Sequence, residues 1–169
     1  ETISLKNALN LNLKYLIQTS DKNVTFGPYI DYIGGSDWDG SSEWIGYKAS
    51  FSILSYGIFA RYKYPTNGFY CSGSIGLSSP NIDDKDYLKS ARENALNNGS
   101  DRSYNSSTKG SISYILAAGY EFQDNFAVEV SYKNTSMSYD ITSQEGSERD
   151  TYEFDVSLST ITVRTAYTF

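Results

Sequence analysis

The sequence predicts an all-β protein, a transmembrane antiparallel up-and-down β-barrel of eight strands, of which seven can be read directly. Three observations predict it. The closing stretch alternates strictly, with Ile161, Val163, Thr165, Tyr167 and Phe169 on one parity and Thr162, Arg164, Ala166 and Thr168 on the other, which is the period of a strand. The same alternation recurs along most of the chain. Hydrophobic residues make up only 39% of the 169 residues, yet 16 residues are tyrosine. That balance is poor for a soluble core but suits a wall that meets lipid with every second residue and draws aromatic rings to its two interfaces.

The chain divides as follows. Leu9, Leu11, Leu13, Tyr15 and Ile17 alternate with Asn10, Asn12 and Lys14, and residues 19–23 form a polar turn. Val24, Phe26, Pro28, Ile30 and Tyr32 alternate next. A proline usually marks an edge strand, but sound alternation on both sides of Pro28 keeps the strand. Residues 34–42 read as a loop. From 44 to 64 the chain is strand throughout, with a change of phase: Ile45, Tyr47, Ala49, Phe51 and Ile53 are odd, whereas Tyr56, Ile58, Ala60, Tyr62 and Tyr64 are even. Leu54-Ser55 is poor turn chemistry, so a β-bulge is expected there rather than a hairpin.

Residues 65–68 form a turn, and Phe69, Cys71, Gly73, Ile75 and Leu77 form the next strand. A long polar insertion at 78–109 follows, with a short helix expected at 84–97, where Leu88, Ala91 and Ala95 make a weak stripe. Ile112 to Phe122, a turn at 123–125, and Phe126 to Tyr132 give two more strands. Residues 134–150 read as a loop. Tyr152, Phe154, Val156 and Leu158 are even while the closing stretch is odd, which predicts a second bulge near Ser159-Thr160. The connections alternate short and long, as do the periplasmic turns and extracellular loops of bacterial barrels. An even strand count requires a further strand, sought at or before residues 2–6, because an open edge in lipid leaves backbone groups unpaired.

Composition narrows the function. The chain has no linker and reads as one domain, 1–169, with its long extracellular loop at 78–109. No run of about 18 apolar residues occurs, so a transmembrane helix is not expected. A net charge of −6 lacks the basic footprint that nucleic-acid binding needs. Cys71 is the only cysteine and reads as a small apolar strand residue. Glu1 is expected to begin a mature, exported chain. Histidine is absent, which removes histidine-based acid-base, nucleophilic and metal chemistry.

Two segments, 56–77 and 117–132, repeat a unit of strand, short Pro-Asn or Asp-Asn turn, and strand. With the terminal Tyr167-Thr168-Phe169, they resemble the small outer-membrane β-barrel proteins of the opacity-protein and OmpX-like kind. The resemblance covers most of residues 24–169. It implies a Gram-negative outer-membrane location, loops facing outward, outer-membrane lipid as solvent, and recognition of Phe169 by the outer-membrane insertion machinery. It carries over no functional residues.

Parity picks out the candidate site residues. Lys14, Asp31, Arg61, Lys63, Glu121, Glu129, Lys133 and Arg164 fall on the lumen side. The interior of a small barrel is just wide enough for its side chains, so these charges are expected to pair, with Glu129 between Arg61 and Arg164. Trp44, Tyr62, Tyr64, Tyr120, Phe122, Tyr132, Tyr167 and Phe169 are expected at the membrane interfaces. Trp38, Tyr87, Leu88 and Tyr104 are candidates for partner contact from loops. The functional expectation is a non-enzymatic outer-membrane barrel without cofactor or metal, plugged by its charges. Its loops would meet a host, matrix or neighbouring surface. A small ion channel and a soluble lipocalin-like carrier are the alternatives.

Overall fold

The computed structural model describes residues 5–6, 9–38, 49–122 and 126–167. The elements in chain order are β1 (Leu5–Lys6), β2 (Leu9–Lys14), β3 (Ile17–Gln18), β4 (Val24–Trp38), β5 (Ala49–Lys63), β6 (Phe69–Asp83), α1 (Lys85–Asn97), β7 (Ser103–Glu121), β8 (Phe126–Glu145) and β9 (Glu148–Tyr167). All strands belong to one antiparallel up-and-down sheet. Strands β4 to β9 lie side by side in sequence order, and β1, β2 and β3 lie in succession along the free side of β4.

The first strand region is interrupted around Tyr15 and Leu16, opposite Pro28. A proline has no N–H to give to the ladder, but its carbonyl still accepts from the Tyr15 N–H at 3.0 Å. The turns follow from local chemistry. Thr19 Oγ1 donates to the Val24 carbonyl at 3.0 Å, and Asp21 Oδ1 accepts from the Asn23 N–H at 3.0 Å. Gly68 at φ 72° closes the turn after Pro65, and Gly146 at φ 58° closes the turn between β8 and β9, a conformation glycine adopts at little cost.

The sheet is curled. Asn10 Nδ2 on β2 lies 3.4 Å from Thr162 Oγ1 on β9, which is at the other end of the strand order. Polar and charged side chains line the concave face, while Leu13, Ile58, Leu116 and Val163 are exposed on the convex one. Two apolar clusters also lie inside. One joins Phe51, Ile53, Met137 and Leu158, with Ile82 and Val156 against it; the other joins Tyr29, Phe59 and Ile115, with Leu16.

Several sequence expectations need correction. Neither expected bulge exists. The ladders of β5 with β4 and β6 run unbroken through Leu54-Ser55, and β9 pairs with β8 without a shift through Ser159-Thr160. These two strands each keep one inward parity, odd on β5 and even on β9. The apolar residues change sides: near the turns they face outward, and farther up Phe51, Ile53 and Leu158 face inward. Register shifts occur instead between Ile33 and Ser36 and between Gly110 and Ser113.

The loop expected at 134–150 is mostly strand, because β8 runs to Glu145 and β9 starts at Glu148. The insertion expected at 78–109 shrinks to 84–102, since β6 continues to Asp83 and β7 begins at Ser103. The helix within it forms at Lys85–Asn97. Its N-cap residue, Asp84, makes no capping bond with its side chain. The expected strand residues Trp44, Ile45 and Tyr47 lie outside the described residues.

Candidate functional site

The curl brings inward-facing positions of distant strands together, and all eight charged residues expected on the lumen side meet there. They form three linked levels. Nearest the short turns, Glu121 on β7 is held by Arg61 of β5 in an ion pair and by Lys63 Nζ at 3.0 Å. At the second level, Glu129 on β8 faces Arg164 across the ladder, and Arg164 Nε donates to Glu129 Oε1 at 2.7 Å. Lys14 Nζ lies 3.6 Å from Glu129 Oε2, and the Tyr70 hydroxyl donates to the same oxygen at 3.0 Å. At the third level, Lys133 Nζ donates to Asp31 Oδ2 at 2.5 Å and to Ser55 Oγ at 2.9 Å, while Asn12 Nδ2 donates to Asp31 Oδ1 at 2.9 Å.

Two side chains join the levels. Arg164 Nη1 reaches within 3.9 Å of Asp31 as well as binding Glu129. The Arg61 guanidinium stacks 3.8 Å from the centre of the Tyr70 ring, whose hydroxyl is on Glu129. The expectation that Arg61 flanks Glu129 directly is therefore corrected: Arg61 pairs with Glu121, and Tyr70 stands between the two carboxylates. Asp31, Glu129 and Lys133 are buried. Charges so placed are tolerated only when paired and hydrogen-bonded, and each of the three carboxylates has at least two donors. None is left as a free base, so the arrangement is chemically a brace. Five cations to three anions leave it with a formal charge of +2, against −6 for the chain.

Sequence reasoning missed Tyr70, Asn12 and Ser55. The available signal was a tyrosine on the polar parity of β6, where neither an apolar core nor an outward interface accounts for it.

The expected interface aromatics fall into two sets. Tyr62, Tyr64, Tyr120 and Phe122 gather at the short-turn end, where Phe69 and Tyr120 meet edge to face at 4.9 Å, as do Tyr120 and Phe122. Tyr132 is higher on the convex face, 6.3 Å from Tyr114, and its hydroxyl is 3.1 Å from Ser159 Oγ. Tyr167 is exposed at the end of β9. Trp44 and Phe169 lie outside the described residues.

Of the candidate loop residues, only Tyr87 and Leu88 sit in the connection, both half-buried on α1. Trp38 is the last residue of β4, paired with Leu5 and Ala49, and Tyr104 belongs to β7; neither is a loop residue. A second polar cluster holds α1 in place. Asp84, buried, accepts from Ser106 Oγ at 2.9 Å and from the Tyr139 hydroxyl. At the other end of the connection, Glu145 accepts from Ser100 Oγ at 2.8 Å and from Arg102 Nη2 at 3.2 Å. Burial, followed by the bond to Asp84, pushes the Tyr139 hydroxyl up, so it stays protonated and donating. The bonds from Ser100 and Arg102 hold the Glu145 carboxyl below its usual range.

No protein-family model matches the sequence, and no curated protein matches it either.

Proposed function

We propose that the protein is a non-enzymatic outer-membrane β-barrel whose convex face lies in lipid. Its charged interior braces the wall, and its outer end meets a partner surface. One observation carries the reading. The apolar side chains nearer the short turns face outward and are exposed, while Asp31, Glu129 and Lys133 are buried inside. In water that polarity is inside out, because buried charge is costly and a continuous exposed apolar surface invites association. In a bilayer it is the ordinary arrangement. On β5 the outward apolar series from Leu54 to Tyr62 has the length of one tilted crossing, about nine to eleven residues.

The strand directions bear on closure. Ladders alternate in sense from the β1–β3 edge to β9, so the two outer strands run the same way. All-antiparallel closure takes one further strand between them, which makes the count eight. The interior counts against a lipocalin-like carrier, which needs an apolar cavity. The paired carboxylates support a plug rather than a pore.

Cys71 tests the reading directly, because it is exposed on the convex face and pairs in register with Tyr62 and Ala118. In proteoliposomes an apolar maleimide is expected to label it while a sulfonated, membrane-impermeant maleimide does not. Equal labelling by both reagents would place this face in water. Planar-bilayer recordings are expected to be silent, whereas discrete conductance steps would replace the plug with the channel reading.

A further inference from the structure

The convex face carries a groove of about 700 Å³, within the roughly 300–1,000 Å³ that small-molecule sites occupy. Its floor is made of small residues, Ala60, Cys71, Gly73 and Ala118, and Tyr62, Leu116 and Val130 stand at its sides. All lie on the outward parity of their strands. One ladder row, Val24–Tyr62–Cys71–Ala118–Val130, marks its course from β4 to β8. Four inter-strand spacings of about 4.8 Å make that about 19 Å, against about 15 Å for the hydrocarbon of one leaflet. Val24 is the first residue of β4, at the short-turn end, and Val130 the fifth of β8, so the groove climbs the wall as it crosses it.

The backbone does not require so bare a floor. At Gly57, Gly76 and Gly110 a backbone oxygen, of Ile75, Tyr56 and Ser78 respectively, stands where a Cβ would go. At Gly73 a Cβ would meet nothing nearer than Leu116 Cδ2 at 3.9 Å, an ordinary contact. The opening exists because the side chain is missing, and in a bilayer its lining loses dispersion contacts unless a chain fills it.

A polar cluster tops the groove. Tyr132 lines its upper end, and the Tyr132 hydroxyl lies 3.1 Å from Ser159 Oγ. Asn134 Nδ2 donates to the same Ser159 Oγ at 2.9 Å and to Ser157 Oγ at 3.2 Å. These groups face outward where the outward apolar series of β8 and β9 ends, above Val130 and Ile161. They offer an amide and hydroxyls but no charge, which suits the hydroxyls of a sugar, whereas a phosphate calls for arginine or lysine. Dry below and hydroxylated above, the site has the polarity of an amphiphile whose head lies at the outer surface.

We propose that the groove and the Tyr132–Asn134–Ser159 cluster bind one glycolipid of the outer leaflet. An acyl chain lies along Ala60, Cys71, Gly73 and Ala118, and an uncharged sugar headgroup sits on the cluster. The proposal rests on the reading that the convex face lies in lipid. Native mass spectrometry of the protein in a polyoxyethylene detergent counts the lipids bound. The probes are a monoglucosyl diacylglycerol and a phosphatidylcholine with the same acyl chains.

The glucolipid is expected to add one molecule per chain and to bind about fivefold or more tighter than phosphatidylcholine, as for one or two hydrogen bonds made by the sugar. Gly73→Leu, which fills the floor, and Asn134→Leu, which removes the amide, are each expected to weaken glucolipid binding by about the same factor. Ala118→Leu fills the floor from β7 and is expected to act like Gly73→Leu, so a folding defect in one filling variant does not decide the result. Equal affinity for the two lipids would overturn the proposal, as would unchanged glucolipid affinity in Asn134→Leu or in a folded filling variant. Either result with Cys71 still labelled by the apolar reagent alone would sink the site and leave the membrane reading standing. Equal labelling of Cys71 by both reagents would sink the membrane reading and the proposal with it.

Discussion

Glu129 is the residue on which most of the interior converges, since Arg164, Lys14 and Tyr70 all direct donors at it. Glu129→Ala leaves two cations and a hydroxyl without their acceptor. It is expected to destabilise the protein by about 3–5 kcal/mol, the range for breaking a buried pair by removing one partner. Chemical unfolding in detergent measures this, and Glu129→Gln, which keeps an acceptor oxygen, should lose less. Asp31 and Lys133 make a cleaner pair for a double-mutant cycle with Asp31→Asn and Lys133→Met. A coupling of about 1–3 kcal/mol is expected for groups in direct contact. Parity alone placed all eight charges on one face, because a strand's period of two is rigid. Their pairing was not legible: Glu121 rather than Glu129 receives Arg61 because sheet curl and side-chain reach set neighbours that sequence spacing does not encode.

At the scale of elements, the connection around α1 is held at both ends by side chains rather than by a buried face, since no residue of the helix is fully buried. Tyr139→Phe removes a donor to the buried Asp84 carboxylate. The expected cost is about 1–3 kcal/mol of local stability, as for an acceptor left unsatisfied, read as faster hydrogen exchange across residues 85–97. The other end is pH-sensitive. The Glu145 carboxyl titrates below its free value when bound to Ser100 and Arg102. Its contribution is therefore fully present above the free carboxylate pKa and is lost as pH falls through the depressed value. Protection factors of the amides near 100–102, taken relative to the intrinsic exchange rate at each pH, should fall at pH values below the ordinary carboxylate range and stay constant from there to neutral pH.

The helix was legible because Leu88, Ala91 and Ala95 recur at helical spacing. The strand at 134–145 was not read, although Thr135, Met137 and Tyr139 continue the inward parity of β8, because serine and aspartate between them look like loop composition.

For the whole molecule, curl, a charged interior and two outer strands of like direction belong together. The curl encloses the charges, and the charges link strands that share no ladder, such as β4 with β8 through Asp31 and Lys133. The change of apolar side along β5 and β9 was visible in the sequence but was misread as a bulge. Hydrophobic pattern reports which side is dry, and that side changes with height while the backbone does not. Tolerance to substitution must therefore reverse with height. At Ile58 or Val163 an outward aspartate is expected to be ruinous, and at Ser157 harmless. On the opposite face, Phe51 and Leu158 reject a charge, while Lys14 and Arg164 supply one. A deep scan of β5 and β9 by aspartate should thus yield two stripes of intolerance that swap faces between Ile53 and Leu54 on one strand and between Leu158 and Ile161 on the other, drawing the edge of the dry zone from fitness alone.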